Sequence, residues 1–341
     1  MWNNAPVRGT GAILAVLAAA LCFATTGTAR ELSGVDADTV SVGAARVLIG
    51  GGLLGAIALF SAVRRRGGVV SPGVSGARSD GTVGAGASAR VRPRHRAPSW
   101  FVVLVGVAGV LAYQPTFFTG TRLNGVAVGT VLALGSAPIA TGILNAVLRR
   151  QRPDLRWMIA TAVALLGVAL VSGLIGPQGA GDASNGIGGA GIGGVAASLG
   201  AGASYALYAV ASKILLDRGW SAVRAMGAVF GVAAVLSLPV LLMTPTAWLW
   251  TPAGAALALW LGVITVTLAY LLFGWGLGGL RPTTVATLTL AEPLAATLLG
   301  LVVLGERLST VAVVGLVVLA LGLAIVSTPG GPRGRGRASV A

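Results

Sequence analysis

Apolar and polar residues in this chain come in long blocks, and the blocks define the elements. Ten apolar runs, at 11–29, 39–63, 99–118, 124–148, 157–175, 191–216, 221–243, 252–277, 282–304 and 308–327, are separated by polar or basic gaps. An α-helix needs about 20 such residues to cross ~30 Å of hydrocarbon. A lipid-facing backbone must also satisfy its polar groups within its own segment. The pattern therefore predicts an all-α integral membrane protein of ten transmembrane helices. The first run, with Ala18, Ala19 and Ala20, imitates a secretion signal. Its continuation into further runs makes it a first transmembrane helix instead.

The runs repeat. Displaced by 155 positions, Pro138 falls on Pro293, Arg152 on Arg307 and Gly167 on Gly322, and 11 of the 35 positions from 138 to 172 are identical without gaps. Each copy holds five runs. An odd number of crossings turns the second copy upside down, the inverted-repeat plan of many secondary transporters. The expected organisation is a first repeat over 11–175, an outer Gly-rich linker over 176–190, a second repeat over 191–327 and a disordered basic tail over 328–341. The Gly/Ser/Arg-rich segment 64–98 reads as a disordered basic loop within the first repeat.

Charge adds orientation. Only 10% of residues are charged, against about a quarter in soluble domains. The net charge of +15 lies in the gaps and forms no basic face of a solvated fold, which excludes nucleic acid as the partner. Alternate gaps hold 20 and 3 Lys or Arg residues, with Arg46 inside a run. The positive-inside rule then places both termini in the cytoplasm. Cys22 is the only cysteine and His95 the only histidine, so no paired-thiol or His-based metal site exists within the spans, and no cofactor is expected. The run Gly186–Gly194 is no phosphate loop, because no strand precedes it and no Lys-Ser/Thr follows.

Arg46 and Glu292 are the ionisable residues that fall well inside the spans. Each costs on the order of 2.5–3.5 kcal/mol at a helix centre on insertion scales. They either line a solute path, as residues of that path or as a gate pair, or lock helices together. Tyr113 and Gln114 in the third span suit a cavity for an organic solute, as do Tyr205 and Tyr208, three apart on one face, and Tyr270. Phe117 and Phe118 fit an interfacial aromatic belt, and Trp220, Trp248 and Trp250 read as interface anchors. Pro138 and Pro293, at matching positions, each remove a helix hydrogen bond and are candidate hinges. Gly51 with Gly55, and Gly274 with Gly278, form small-residue faces for close helix packing. Glu306, beside Arg307, reads as a turn cap.

These residues resemble a known family. Leu290-Ala291-Glu292-Pro293 followed by Leu304-Gly305-Glu306-Arg307-Leu308, the proline-centred fourth and ninth spans, Ala45-Arg46 and Ala112-Tyr113-Gln114 are similar to the drug/metabolite transporter superfamily, and within it to EamA-type exporters. Phe23 stands where that family often has tryptophan, and Gln151 where it often has glutamate. The resemblance implies a secondary transporter in a bacterial cell membrane, exporting small metabolites such as amino acids by alternating access. The partners it implies are the bilayer and a small-molecule substrate; a homodimer is an assembly it leaves open. A nucleotide-sugar exchanger or importer is the alternative within transport, but phosphates want several cavity cations and only Arg46 is available. A membrane enzyme is disfavoured, since the spans carry no catalytic cluster.

Overall fold

In the computed structural model, residues 9–67, 97–151, 153–173, 192–305 and 308–328 are described. The predicted linker 176–190, the tail and the Glu306-Arg307 turn lie outside them, as does most of the basic loop. The described chain is helical: α1 (Thr10–Ser33), α2 (Thr39–Gly67), α3 (Ser99–Asn124), α4 (Val126–Arg149), α5 (Leu155–Val171), α6 (Ile192–Asp217), α7 (Ala222–Leu242), α8 (Pro252–Gly279), α9 (Pro282–Val303) and α10 (Thr310–Ser327). Nine are long and apolar enough to cross a membrane, and α5 is a shorter apolar helix.

Local chemistry sets the ends. Asp154, Ser221, Thr251 and Ser309 accept backbone N–H groups as N-caps of α5, α7, α8 and α10, satisfying donors that a helix start leaves orphaned. Pro252 and Pro282 occupy the first turns of α8 and α9, where no N–H is needed. The sequence repeat survives in these details. At a displacement of 155, Asp154 and Ser309 cap Trp157 and Ala312 in the same way. Arg150 and Gly305 both adopt positive φ, 53° and 68°. Glycine enters that region freely, whereas Arg150 bears the cost of a Cβ there.

Two of the contacts between the halves, α5–α10 and α2–α7, are reciprocal. In α5–α10, a Cβ on Gly167 would lie 2.6 Å from Leu319 Cα, and one on Gly322 would lie 2.8 Å from Ala164 Cα. In α2–α7, Gly51 faces Phe230 and Ala234, while Gly227 faces Leu54 and Ala58. The second pair maps onto the first at a displacement of 176. Glycine lets these backbones meet without side chains between them. The expected Gly51/Gly55 face is thus occupied. Of the other pair, Gly274 packs against Met226, but Gly278 has open space around it. Around the crossings, α6 lies against α3 and α4, and α1 against α8 and α9.

Two helices are irregular. A π-helical segment, Val263–Leu268, interrupts α8; there Thr267 Oγ1 donates towards the Gly50 and Gly262 carbonyls at 3.0 and 3.2 Å. α9 is broken into Pro282–Leu288 and Ala291–Val303. Its break lies at Thr289-Leu290, just before Pro293, where the Glu292 N–H reaches back to the Thr289 carbonyl. Pro138, in contrast, sits inside an uninterrupted α4.

Candidate functional site

A cavity of about 30 Å³ opens where α2, α3, α6, α7 and α8 converge. Arg46 and Val47 reach it from α2, Val110, Tyr113 and Gln114 from α3, Tyr208 from α6, Phe230 from α7, and Val266 and Tyr270 from α8. At ~10–15 Å³ per water centre, it has room for about two waters. Five of the predicted path residues, Arg46, Tyr113, Gln114, Tyr208 and Tyr270, therefore share one wall although four separate helices carry them.

Backbone close approach explains why they meet. Gly50 of α2 abuts Gly262 of α8, and Arg46, four residues earlier, lies on the same face of α2. Gln114 packs over Gly43 on that helix, 3.6 Å from where a Cβ would stand. Behind the cavity is an aromatic cluster. Phe230 and Tyr270 have centroids 3.9 Å apart, Tyr205 and Tyr208 5.0 Å, and Phe23 meets Tyr270 at 5.1 Å. Phe23, standing where the family often has tryptophan, thus supports the ring of Tyr270. Phe230 and Phe273 were not singled out in the sequence, where their spans make them indistinguishable from ordinary core aromatics.

Tyr205 is buried behind this wall. Its hydroxyl meets Thr289 Oγ1 at 3.1 Å, tying α6 to the break in α9. Glu292 is half-buried in the first turn after that break, within Coulombic reach of Arg46, Tyr113, Tyr205 and Tyr270. The ion pairs among the described residues, Arg149–Asp217, Lys213–Asp217 and Arg281–Asp154, include neither Arg46 nor Glu292. The buried Nε of Arg46 has no hydrogen-bond partner. No group of three or more His, Cys, Asp or Glu side chains able to hold a metal occurs among the described residues.

Two residues differ from their sequence reading. Trp248, expected at an interface, is 7% exposed and donates its indole N–H to Ser41 Oγ at 2.9 Å; Trp250 is exposed, as an anchor would be. Lys213, one of the 20 cations counted to the more basic side although it falls near the end of the run 191–216, is buried within α6, donating to the Leu277 and Gly278 carbonyls at 2.8 and 3.1 Å. It satisfies orphan carbonyls at the end of α8. With Arg149 and Asp217 it forms a charged knot at the bundle end where Arg281 pairs with Asp154 and Arg156 reaches the Ile325 carbonyl.

The arrangement is a polar pocket with aromatic walls in the middle of a helical membrane bundle, shared by helices from both sequence repeats. The EamA-like transporter family matches residues 10–173 and 192–328. A relative from Bacillus subtilis (strain 168), named Uncharacterized transporter YwfM, is 35% identical over 325 residues, covering 94% of this chain and 95% of that protein. A solved crystal structure shares the fold with a TM-score of 0.68 at 21% identity, over 94% of this chain and 99% of the other. The chain is a multi-pass transporter of the plasma membrane, not an enzyme, and belongs to the EamA-like transporter family.

Proposed function

We propose that the protein is a secondary transporter that exports small organic metabolites, amino acids and related compounds among them, by alternating access between two inverted five-helix repeats. The observation that carries this reading is the cavity itself, in which Arg46, Tyr113 and Gln114 of the first half face Tyr208, Phe230 and Tyr270 of the second. A site shared by both halves opens to alternate sides when they rock about it. The reciprocal antiparallel crossings of α5 with α10 and α2 with α7 support the inversion, because a two-fold axis perpendicular to both helices relates such contacts. The solute chemistry follows from the lining: aromatic faces for an apolar body, with an amide, hydroxyls and one cation for its polar end. A single cavity cation argues against nucleotide sugars, whose diphosphates want several.

The cations gathered at the Arg149/Lys213/Arg281 end support placing that end in the cytoplasm. With Cys22 replaced by serine, a cysteine at Ala247 is expected to react with an impermeant thiol reagent on intact cells. A cysteine at Gln151 is expected to react only after permeabilisation. The opposite labelling pattern reverses the proposed orientation. Transport itself is tested with protein reconstituted in vesicles preloaded with single amino acids, measuring counterflow of the labelled compound. At least one amino acid is expected to exchange above protein-free vesicles; no exchange across the twenty rejects this solute class.

A further inference from the structure

We infer that Arg46 anchors the carboxylate of a small organic anion, and that the cavity beside it is the acid end of the substrate site. This rests on the cavity being the transport site. Buried polar atoms are nearly always hydrogen-bonded, and an unpaired charge is the costliest group to bury. Other buried or half-buried basic side chains in this bundle spend their charge on the protein: Lys213 on two carbonyls and Asp217, Arg149 on Asp217, Arg156 on the Ile325 carbonyl. Arg46 does not. Its buried Nε is unpartnered, its guanidinium makes no ion pair among the described residues, and it lines an open cavity. What the protein leaves unsatisfied there, a ligand can satisfy.

The shape of the space selects the ligand. Guanidinium is a planar fork that matches a carboxylate with two parallel hydrogen bonds. About 30 Å³ accepts a group of that size but not a whole metabolite, so the remainder of the solute lies where Tyr208, Phe230 and Tyr270 part to admit it. A phosphate dianion calls for more than one cation, and no second one lines this cavity. A cationic solute would face the Arg46 charge directly. Glu292 lies within Coulombic reach of Arg46, but it is outside the lining and makes no ion pair with it, so the guanidinium fork stays available to a ligand. The fitting class is an organic monocarboxylate with a flat apolar body.

Benzoate, benzamide and benzylammonium share one ring and differ only in the head group, which makes them decisive probes. With the full-length protein in nanodiscs, binding is read by intrinsic tryptophan fluorescence and by thermal stabilisation. Benzoate is expected to bind at least about tenfold more tightly than benzamide, the effect of hydrogen bonds to a charged group, and benzylammonium least. Arg46→Gln should lower benzoate to the benzamide level, and Arg46→Lys, which keeps the charge but loses the fork, should fall between. The inference is overturned if benzamide or benzylammonium equals benzoate on the wild-type protein. It is overturned equally if Arg46→Gln, folded by gel filtration, binds benzoate unchanged. Should that variant not fold, the benzoate-to-benzamide ratio of the wild type decides alone. Benzoate binding that depends on Arg46 without transport of any solute would reject the transport reading and keep the anion site. Transport with no preference for acids would do the reverse.

Discussion

Glu292→Gln is expected to abolish solute accumulation driven by a pH gradient while leaving the protein folded and inserted. Glutamine keeps the size of the side chain and its place in the first turn after the α9 break, so packing against α1 is retained; only the exchangeable proton is lost. The titratable groups within Coulombic reach of Glu292 are Arg46 on α2, Tyr113 on α3, Tyr205 on α6 and Tyr270 on α8. Glu292 is the one carboxylate among them. A one-unit gradient stores about 1.4 kcal/mol per proton, enough for roughly tenfold accumulation. In vesicles with such a gradient, the wild-type concentration ratio should approach that value and the variant should stay near unity. Exchange without a gradient should continue in both. An unaltered ratio in Glu292→Gln would remove the carboxylate from coupling and leave it a structural role.

Gly227→Val should strongly destabilise the α2–α7 crossing. A Cβ at this position would sit 2.6 Å from the Leu54 carbonyl oxygen and against Ala58 Cβ, so the helices must separate along their shared face. Overpacking of this kind costs about 1–3 kcal/mol, occasionally more, and here the obstructing atom is backbone, which cannot rotate away. The matching change Gly51→Val meets the Phe230 carbonyl and should behave alike. Gly52 supplies the control on the same helix. Nothing lies within 4 Å of its Cβ position, and Gly52→Val should alter stability by less than about 0.5 kcal/mol. Thermal unfolding in detergent distinguishes them; equal transition temperatures for Gly52→Val and Gly227→Val would show that the crossing does not limit stability.

The spans were legible because lipid makes one demand along each helix, an unbroken apolar block, and hydropathy measures that demand directly. The same logic found Arg46 and Glu292, which cannot hide in such a block. It failed where the decisive partner lies on another helix. Lys213 looked like a gap residue because nothing in its neighbourhood announces that it reaches the ends of α8. Trp248 has the composition of an anchor until Ser41 supplies a buried acceptor for its indole. Pro293 drew attention as the irregular point of α9. The helix breaks one turn before it, at Thr289, whose carbonyl is the one a proline at 293 leaves without its helical donor. What no local rule announces is that the Tyr205 hydroxyl meets the Thr289 side chain there. The repeat was read at one displacement, 155, and α2 and α7 match at 176; the longer basic loop between α2 and α3 hides that correspondence from an ungapped comparison.

The π-helical segment of α8 has a consequence for the aromatic wall. Each residue of an α-helix turns the chain by about 100°, and one residue accommodated in a π turn resets the azimuth of everything beyond it. Tyr270 and Phe273 lie just beyond Val263–Leu268, so their aim towards Phe230 and Tyr208 depends on that extra residue. In a chain lacking it, the same tyrosine and phenylalanine would sweep about a quarter-turn or more around the axis. They would leave the cavity one wall short without any change in composition. The pocket is thus specified by a count of residues as much as by their kind.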